Sequence, residues 1–367
     1  MHVNWVGLAV QLYYDDSLDS TVDRVTSSDP DFTFSDGAVR QLIREFRSHR
    51  IDVYLTLALN DHSAVHSARP APRWLLGLPY LPENILPENW PWSKDHPDHQ
   101  RFVAEFWETY TQQAVHFARI AEDEGARLYS LGTESDMLFR TRAGDPNNPE
   151  QSHMTNHFGQ ELKALVERVR AVYSGLLSYD MHYDALKTID HYGQGSGAGY
   201  LWEDLDLDIV GISAWFPLLA TTPTTPISVE TAQMKYEQIF SNYLKPLAER
   251  NPNRLLMFLE YGAVDVVSAP IAPDHSDFSE YVFTDSNGNG LDDGRETQAN
   301  MYQGLINAMT NNPGLLNGIF YWDNWIASDG LWAEWWAGRR SFAIRGKLAE
   351  EVVRSAYASY AESSKDD

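Results

Sequence analysis

The 367-residue chain contains no cysteine. That excludes disulfides, thiolate metal sites and cysteine nucleophiles, and says nothing of compartment. No apolar stretch reaches the length needed to span a bilayer, and the opening Met1-His2-Val3-Asn4 lacks the pattern of a signal peptide. The expected location is nonetheless extracellular, in a bacterium, with the export signal absent from this sequence. Basic residues are scarce: 28 Lys and Arg stand against 52 Asp and Glu, a formal charge of −24. Such a surface repels nucleic acid and anionic membranes, so neither is an expected partner. It suits a neutral or cationic ligand and equally high-salt surroundings, between which charge alone does not choose, and a monomer is expected. No organic cofactor is implied.

Aromatic side chains, by contrast, are plentiful at 13%, with 12 Trp and 19 Tyr. Part of that excess builds core, but Trp is also the side chain that stacks on the apolar faces of sugar rings. Strand-like runs alternate with amphipathic helical runs from end to end, the pattern of a parallel α/β fold. Strands are expected at Val3 to Tyr13, Ile51 to Leu59, Arg127 to Glu134, Leu176 to Met181, Asp208 to Trp215, Leu255 to Glu260 and Gly318 to Asp323. A helix from about Asp36 carries Val39, Leu42, Ile43 and Phe46 on one face, with Ser35 as its cap. The strongest helix carries Phe102, Phe106, Tyr110, Val115 and Phe117 and stops near Gly125. Others run through Leu162 to Tyr173 (stopping at Gly175), through Met234, Phe240 and Leu244, through Met301 and Leu305, and from Leu348 to Tyr360. The expected architecture is a (β/α)8 TIM barrel over residues 1–367 as one domain. Seven strands are visible where eight close a barrel, so the first strand is expected to be missing from this sequence or altered in it.

Two strand ends carry chemistry. Arg127-Leu128-Tyr129-Ser130-Leu131-Gly132-Thr133-Glu134 is an apolar run that finishes in an acid, and Leu255-Leu256-Met257-Phe258-Leu259-Glu260-Tyr261-Gly262 repeats the arrangement. A carboxylate at the C-terminal end of a barrel strand is a standard place for a catalytic group. Either glutamate alone is as well explained by a solvated loop. Together they resemble the equipment of a glycosidase, where one carboxyl is the acid/base and the other the nucleophile or base.

The order and spacing of several segments extend this. Asn4-Trp5-Val6, Leu131 to Glu134, Asp208-Ile209-Val210-Gly211-Ile212-Ser213-Ala214-Trp215-Phe216-Pro217-Leu218, Glu260-Tyr261-Gly262, Phe320-Tyr321-Trp322-Asp323-Asn324-Trp325 and Arg345-Gly346-Lys347 occur in one sequence. Nearly the whole chain, from the family's second strand onward, resembles glycoside hydrolase family 113, the β-mannanase-type enzymes of a retaining TIM-barrel clan. The resemblance implies Glu134 as acid/base, Glu260 as nucleophile, and a polysaccharide or oligosaccharide substrate. A retaining mechanism needs the carboxyls ~5–5.5 Å apart and the acid kept protonated by burial or by its partner's charge. Positions that line sugar subsites in the family differ here. Trp215 replaces a Tyr, Leu59-Asn60-Asp61 replaces a His-containing strand end, and Tyr179-Asp180-Met181-His182 lacks a following Trp. Asn60, His182 and Trp215 are therefore candidate substrate contacts, and the glycan stays open between mannan and another β-linked polymer. A barrel that only binds carbohydrate is the alternative of a different class.

Trp322 and Trp325 flank two polar residues at the last strand's end, so Trp322, Asn324 and Trp325 are candidates for a sugar platform. The cluster Trp332, Trp335 and Trp336 is equally well read as core or as a cleft wall. The segment Asp285-Ser286-Asn287-Gly288-Asn289-Gly290-Leu291-Asp292-Asp293-Gly294-Arg295-Glu296 fits a calcium-loop pattern. Asp285, Asn287, Asn289, the Leu291 carbonyl, Asp293 and a bidentate Glu296 would be the ligands of a structural calcium. His62, His66, His96 and His99 lack ligand spacing and are assigned no metal.

Overall fold

The computed structural model describes residues 3–15, 19–26, 32–62, 97–134, 159–183, 186, 202, 205–275, 279–322 and 339–363. Asp323, Asn324, Trp325, Trp332, Trp335, Trp336, His66 and His96 lie outside them, as does the side chain of His99. Seven strands occur among the described residues: β1 (Trp5–Tyr14), β2 (Asp52–Asp61), β3 (Leu128–Thr133), β4 (Leu176–His182), β5 (Ile209–Ser213), β6 (Leu255–Tyr261) and β7 (Gly318–Tyr321). They stand in the sheet in chain order. The pairs β1–β2, β2–β3, β3–β4 and β6–β7 are parallel. This is the strand set expected from the apolar runs, with ends shifted by a residue or two. Two compact units divide the chain, Asn4–Gly211 and Met1–Val3 with Ile212–Asp367, and the boundary falls inside β5.

In the first unit, β2 and β3 are buried along most of their length, as strands covered on both faces must be. Helix α1 (Asp36–Ser48) opens on Ser35, whose hydroxyl accepts the Ala38 N–H. Helix α2 (Pro97–Glu124) is bound to β3 through tyrosines. The Tyr110 hydroxyl donates to the Leu131 carbonyl, and the Tyr129 hydroxyl donates to the Ala114 carbonyl at 2.9 Å. Each ring fills core while its hydroxyl is satisfied, and burial holds both phenols well above their ordinary pKa. Helix α3 (Gly159–Arg170) ends before Tyr173, earlier than its apolar spacing suggests. Arg170 donates to the Gly175 carbonyl and the Asp208 carboxylate, closing the turn, and Tyr173 packs from coil with its hydroxyl on the Ala126 carbonyl.

The end of α2 is fastened by α1. Arg44 and Arg40 converge on Glu124, at 2.5 and 2.9 Å, and Arg47 donates to the Glu124 carbonyl at 2.6 Å. Three cations thus meet a helix C-terminus, where the macrodipole favours them. Gly125 follows with φ +72°, and a Cβ there would lie 2.6 Å from the Arg47 guanidinium.

In the second unit, helix α4 (Val229–Ile239) is capped by Ser228 and runs into a π turn (Phe240–Leu244) before helix α5 (Lys245–Arg250). The continuous helix expected through Phe240 and Leu244 is interrupted because Pro246 has no N–H to donate. The widened turn, with the Lys245 N–H on the Phe240 carbonyl, absorbs that break. Helix α6 (Asp293–Asn311) crosses α4 at Gly304, where a Cβ would sit 2.6 Å from the Ala232 Cβ and 2.7 Å from the Gln233 nitrogen. Helix α7 (Leu348–Ser363) closes the described chain. No helix among the described residues is long and apolar enough to cross a membrane.

Two expectations follow. Gly304→Ala should lower stability by about 1–3 kcal/mol, because both helix backbones must part to admit the methyl group; thermal unfolding measures it. The Arg44 and Arg40 hydrogen bonds hold the Glu124 carboxyl below its ordinary 4.5. A depressed carboxylate contributes stability above its unfolded pKa and loses it as pH falls through the folded value. Glu124→Gln should therefore lower the melting temperature at neutral pH and flatten its decline below pH 4.5, read from melting curves across pH.

Candidate active site

Glu260 is the penultimate residue of β6 and only 6% exposed. Strand alternation does not bury it by itself; its surroundings do. The Ala214 N–H donates to the Glu260 carbonyl at 2.7 Å, carrying the segment after β5 alongside β6. That places Trp215, 4% exposed, so that its indole Nε1–H donates to Glu260 Oε2 at 3.1 Å. A buried carboxylate needs such a partner, since desolvation without one costs several kcal/mol. Trp322 meets Trp215 edge to face at 6.4 Å, and its backbone N–H donates to the Tyr261 carbonyl at 2.7 Å. Gly262 completes the packing, since a Cβ there would lie 3.1 Å from the Trp215 ring and 3.4 Å from Phe342. Below this level, Tyr261 shares a hydroxyl–hydroxyl bond of 2.8 Å with Tyr236. Three sequence candidates, Trp215, Glu260 and Trp322, are thus brought together. Gly262, from the same Glu260-Tyr261-Gly262 run, and Phe342, which is not a sequence candidate, complete the group. Phe342 gives no local signal, because only the tertiary fold carries it to Trp215.

In the first unit, Glu134 is the residue immediately after β3 and half-buried. Its φ is +52°, a left-handed conformation uncommon for a residue with a side chain. Its N–H donates to the Asp180 carbonyl at 2.9 Å, and the hydroxyl of Thr133 donates to Asp180 Oδ2 at 2.9 Å. Asp180 is itself fully buried on β4. Backbone held in a sparsely populated region by neighbouring strands is a recurrent feature of functional sites. His182 ends β4, half-buried, with its ring 4.3 Å from that of Tyr183. Asn60, near the end of β2 and half-buried, donates its amide N–H to the Gln11 side chain of β1. Asp180 lay inside the quoted Tyr179 to His182 run, but nothing in the sequence marked it as the support of Glu134.

Asp285 Oδ1 and Oδ2 accept the N–H groups of Asn289 and Gly290, with Gly288 and Gly290 at φ +72° and +81°. The Asn287 and Asn289 side-chain amides both donate to Glu296 Oε2, at 3.2 and 3.0 Å. The Leu291 N–H donates to Asn289 Oδ1. Asp293, one of the six expected ligands, is instead buried at the start of α6 and accepts the Ser286 N–H at 3.0 Å. Asp292 caps α6 and pairs with Arg340 at 2.6 Å. Among the described residues no group of three or more His, Cys, Asp or Glu gathers to hold a metal ion.

Comparison with known proteins agrees with this reading of the fold. The profile of Glycoside Hydrolase Family 113 matches residues 90–347. Among solved structures, the GH113 β-mannanase AaManA from Alicyclobacillus acidocaldarius, in complex with ManMIm, superposes with a TM-score of 0.66. It is 18% identical, over 98% of this chain and 88% of that one. A GH113 β-1,4-mannanase superposes at 0.61, with 16% identity over 97% and 88%. No curated protein matches in sequence. At such identities the superpositions speak for the shared TIM-barrel α/β fold, and the profile match speaks for the family. The chain belongs to glycoside hydrolase family 113 and is a glycoside hydrolase acting on polysaccharide or oligosaccharide.

Proposed function

We propose that the chain is a retaining endo-β-mannanase. In this reading Glu260 attacks the anomeric carbon while Glu134 protonates the leaving oxygen, giving a covalent glycosyl-enzyme. Glu134 then deprotonates the water that releases the sugar. The observation that most supports these roles is the setting of Glu260. It is a buried carboxylate on a strand end, held by an N–H donor that favours its ionised, nucleophilic form. Glu134 suits the acid/base role by its strand-end place and its constrained backbone. The mannan assignment draws on the printed activities of the similar structures, a β-mannanase and a β-1,4-mannanase. Trp322 would contribute to a sugar platform, with Asn324 and Trp325; Trp215, Asn60 and His182 are the other proposed substrate residues. One domain, a monomeric state and an extracellular location complete the proposal, the last because polymeric mannan does not cross membranes.

Glu134→Gln and Glu260→Ala should each leave a folded protein with activity reduced by several orders of magnitude. Azide should partly rescue Glu260→Ala and yield a glycosyl azide of inverted configuration. Near-wild-type rates in either variant would overturn its role. Product analysis on mannan, glucomannan, xylan and β-glucan decides the glycan: hydrolysis of xylan or β-glucan alone would refute mannan, and binding without hydrolysis would indicate a carbohydrate-binding barrel.

A structural calcium ion in the Asp285–Glu296 loop belongs to the same proposal. Asp285, Asn287, Asn289 and Glu296 face one another or share partners, and turning the two Asn amides by half a turn would present oxygens to a cation. Asp293 would join only through a bridging water or by leaving Ser286. Bound calcium would stabilise by ~2.7 kcal/mol at a hundredfold excess over its dissociation constant. Chelation should lower the melting temperature, calcium but not magnesium should restore it, and Glu296→Ala should be insensitive to both. A melting temperature indifferent to chelation, with no calcium bound in calorimetry, would remove the ion.

A further inference from the structure

The segment after β6 enters a buried ionic cluster that the proposed bond-breaking chemistry does not use directly. Asp265, in the segment after β6, is fully buried. Its Oδ2 lies 3.0 Å from Lys347 Nζ, and its Oδ1 accepts the Ser341 N–H at 2.5 Å. Lys347 Nζ also donates to the carbonyl and hydroxyl of Ser341, both at 3.1 Å. Arg340 donates to the Asp265 carbonyl at 2.9 Å and to the Asp292 carboxylate at 2.6 Å. Gln298, also fully buried, donates to the Ala263 carbonyl at 2.7 Å and to the Phe342 carbonyl at 3.2 Å. Gly294 leaves room for the junction, since a Cβ there would lie 2.1 Å from the Asp265 carbonyl oxygen. The Lys347 and Arg340 side chains are 7% and 8% exposed.

Burying these ions is a poor way to gain stability, because apolar residues of equal volume are often as stable or more so. What the cluster fixes is geometry. It ties residues 340–342 to residues 263–265 by side-chain and backbone bonds, and Phe342 is the last residue so tied. The Phe342 ring packs on Trp215 at 5.4 Å between centroids and 64° between planes. Trp215 in turn places its N–H on Glu260.

We propose that Asp265 is a positioning residue for Glu260: with Lys347 and Arg340 it seats Phe342 against Trp215 and so keeps the indole N–H on the Glu260 carboxylate. The inference rests on the reading of Glu260 as the nucleophile. A carboxylate that loses an N–H donor is harder to ionise, so loosening the cluster should move the acid limb of activity to higher pH. Losing a hydrogen bond to a charged group should lower kcat roughly ten- to a hundredfold. KM should change less than kcat, since Trp215 is displaced and not removed.

The test compares Asp265→Asn, which keeps shape and one acceptor, with Phe342→Leu and Trp215→Phe. Melting curves establish that each is folded. Two readouts follow: kcat, KM and the acid limb of kcat/KM on mannan oligosaccharide, and the indole ¹H–¹⁵N resonance of Trp215, assigned by its loss in Trp215→Phe. Asp265→Asn and Phe342→Leu should both shift that resonance and raise the acid limb, and adding Asp265→Asn to Trp215→Phe should move the limb no further. A folded Asp265→Asn with resonance and limb unmoved overturns the proposal. If Asp265→Asn does not fold, Phe342→Leu decides alone, because it disturbs no buried charge. The nucleophile reading fails separately, through an active Glu260→Ala. The resonance responds to the cluster whether or not Glu260 attacks sugar.

Discussion

The hydrogen bond from the Trp215 indole to Glu260 is the contact around which the second unit is arranged. A carboxylate that is 6% exposed cannot stand without a donor. An indole N–H only donates and does not titrate, so it favours one protonation state of its partner at every pH where the protein folds. Placing that donor takes β5 to deliver Trp215, Gly262 to leave space beneath its ring, Trp322 at its edge and Phe342 against it. Small and large side chains therefore meet where the chemistry is proposed, and the packing of the aromatic group and the state of the carboxylate are one problem.

Much of this was legible in the sequence, and the limits of legibility are physical. Strand runs such as Leu255 to Glu260 are continuous apolar segments ended by a polar residue, so period and length announced all seven. Glu134 and Glu260 were conspicuous because an acid at the end of such a run has no packing reason to be there. Helix ends were harder: α3 stops before Tyr173, with Arg170 reaching past the helix end to the Gly175 carbonyl, and the Pro246 N–H deficit shows as a π turn whose cause lies C-terminal to it. Partners were the least legible. Trp215 was noticed as an aromatic beside a strand end, but its direction, toward Glu260, depends on a backbone bond between Ala214 and Glu260. Phe342 and Asp180 are far in sequence from what they serve, and Asp265, though close to Glu260 in the chain, bonds to Ser341 and Lys347 far along it.

The Asp285–Glu296 loop shows how a motif and its surroundings compete. Its spacing is that of a calcium loop, yet Asp293, one of the expected ligands, already closes a turn, and the neighbouring Asp292 caps a helix. Asp292 receives the Arg295 N–H and Arg340, and Asp293 receives Ser286. The same segment thus serves as the N-terminus of α6 and as an anchor for residue 340, whether or not an ion is present.

Glu134 illustrates a different tension. Glycine enters the left-handed region freely and asparagine with little strain, whereas a residue such as glutamate pays roughly 1 kcal/mol or more to remain there. The chain nonetheless keeps glutamate at φ +52°, with its N–H on the Asp180 carbonyl and the hydroxyl of the preceding Thr133 on the Asp180 carboxylate. Local folding preference and the proposed acid/base chemistry would therefore pull this position in opposite directions. Stability alone would favour glycine here, so the left-handed backbone is a cost that the proposed acid/base role would offset.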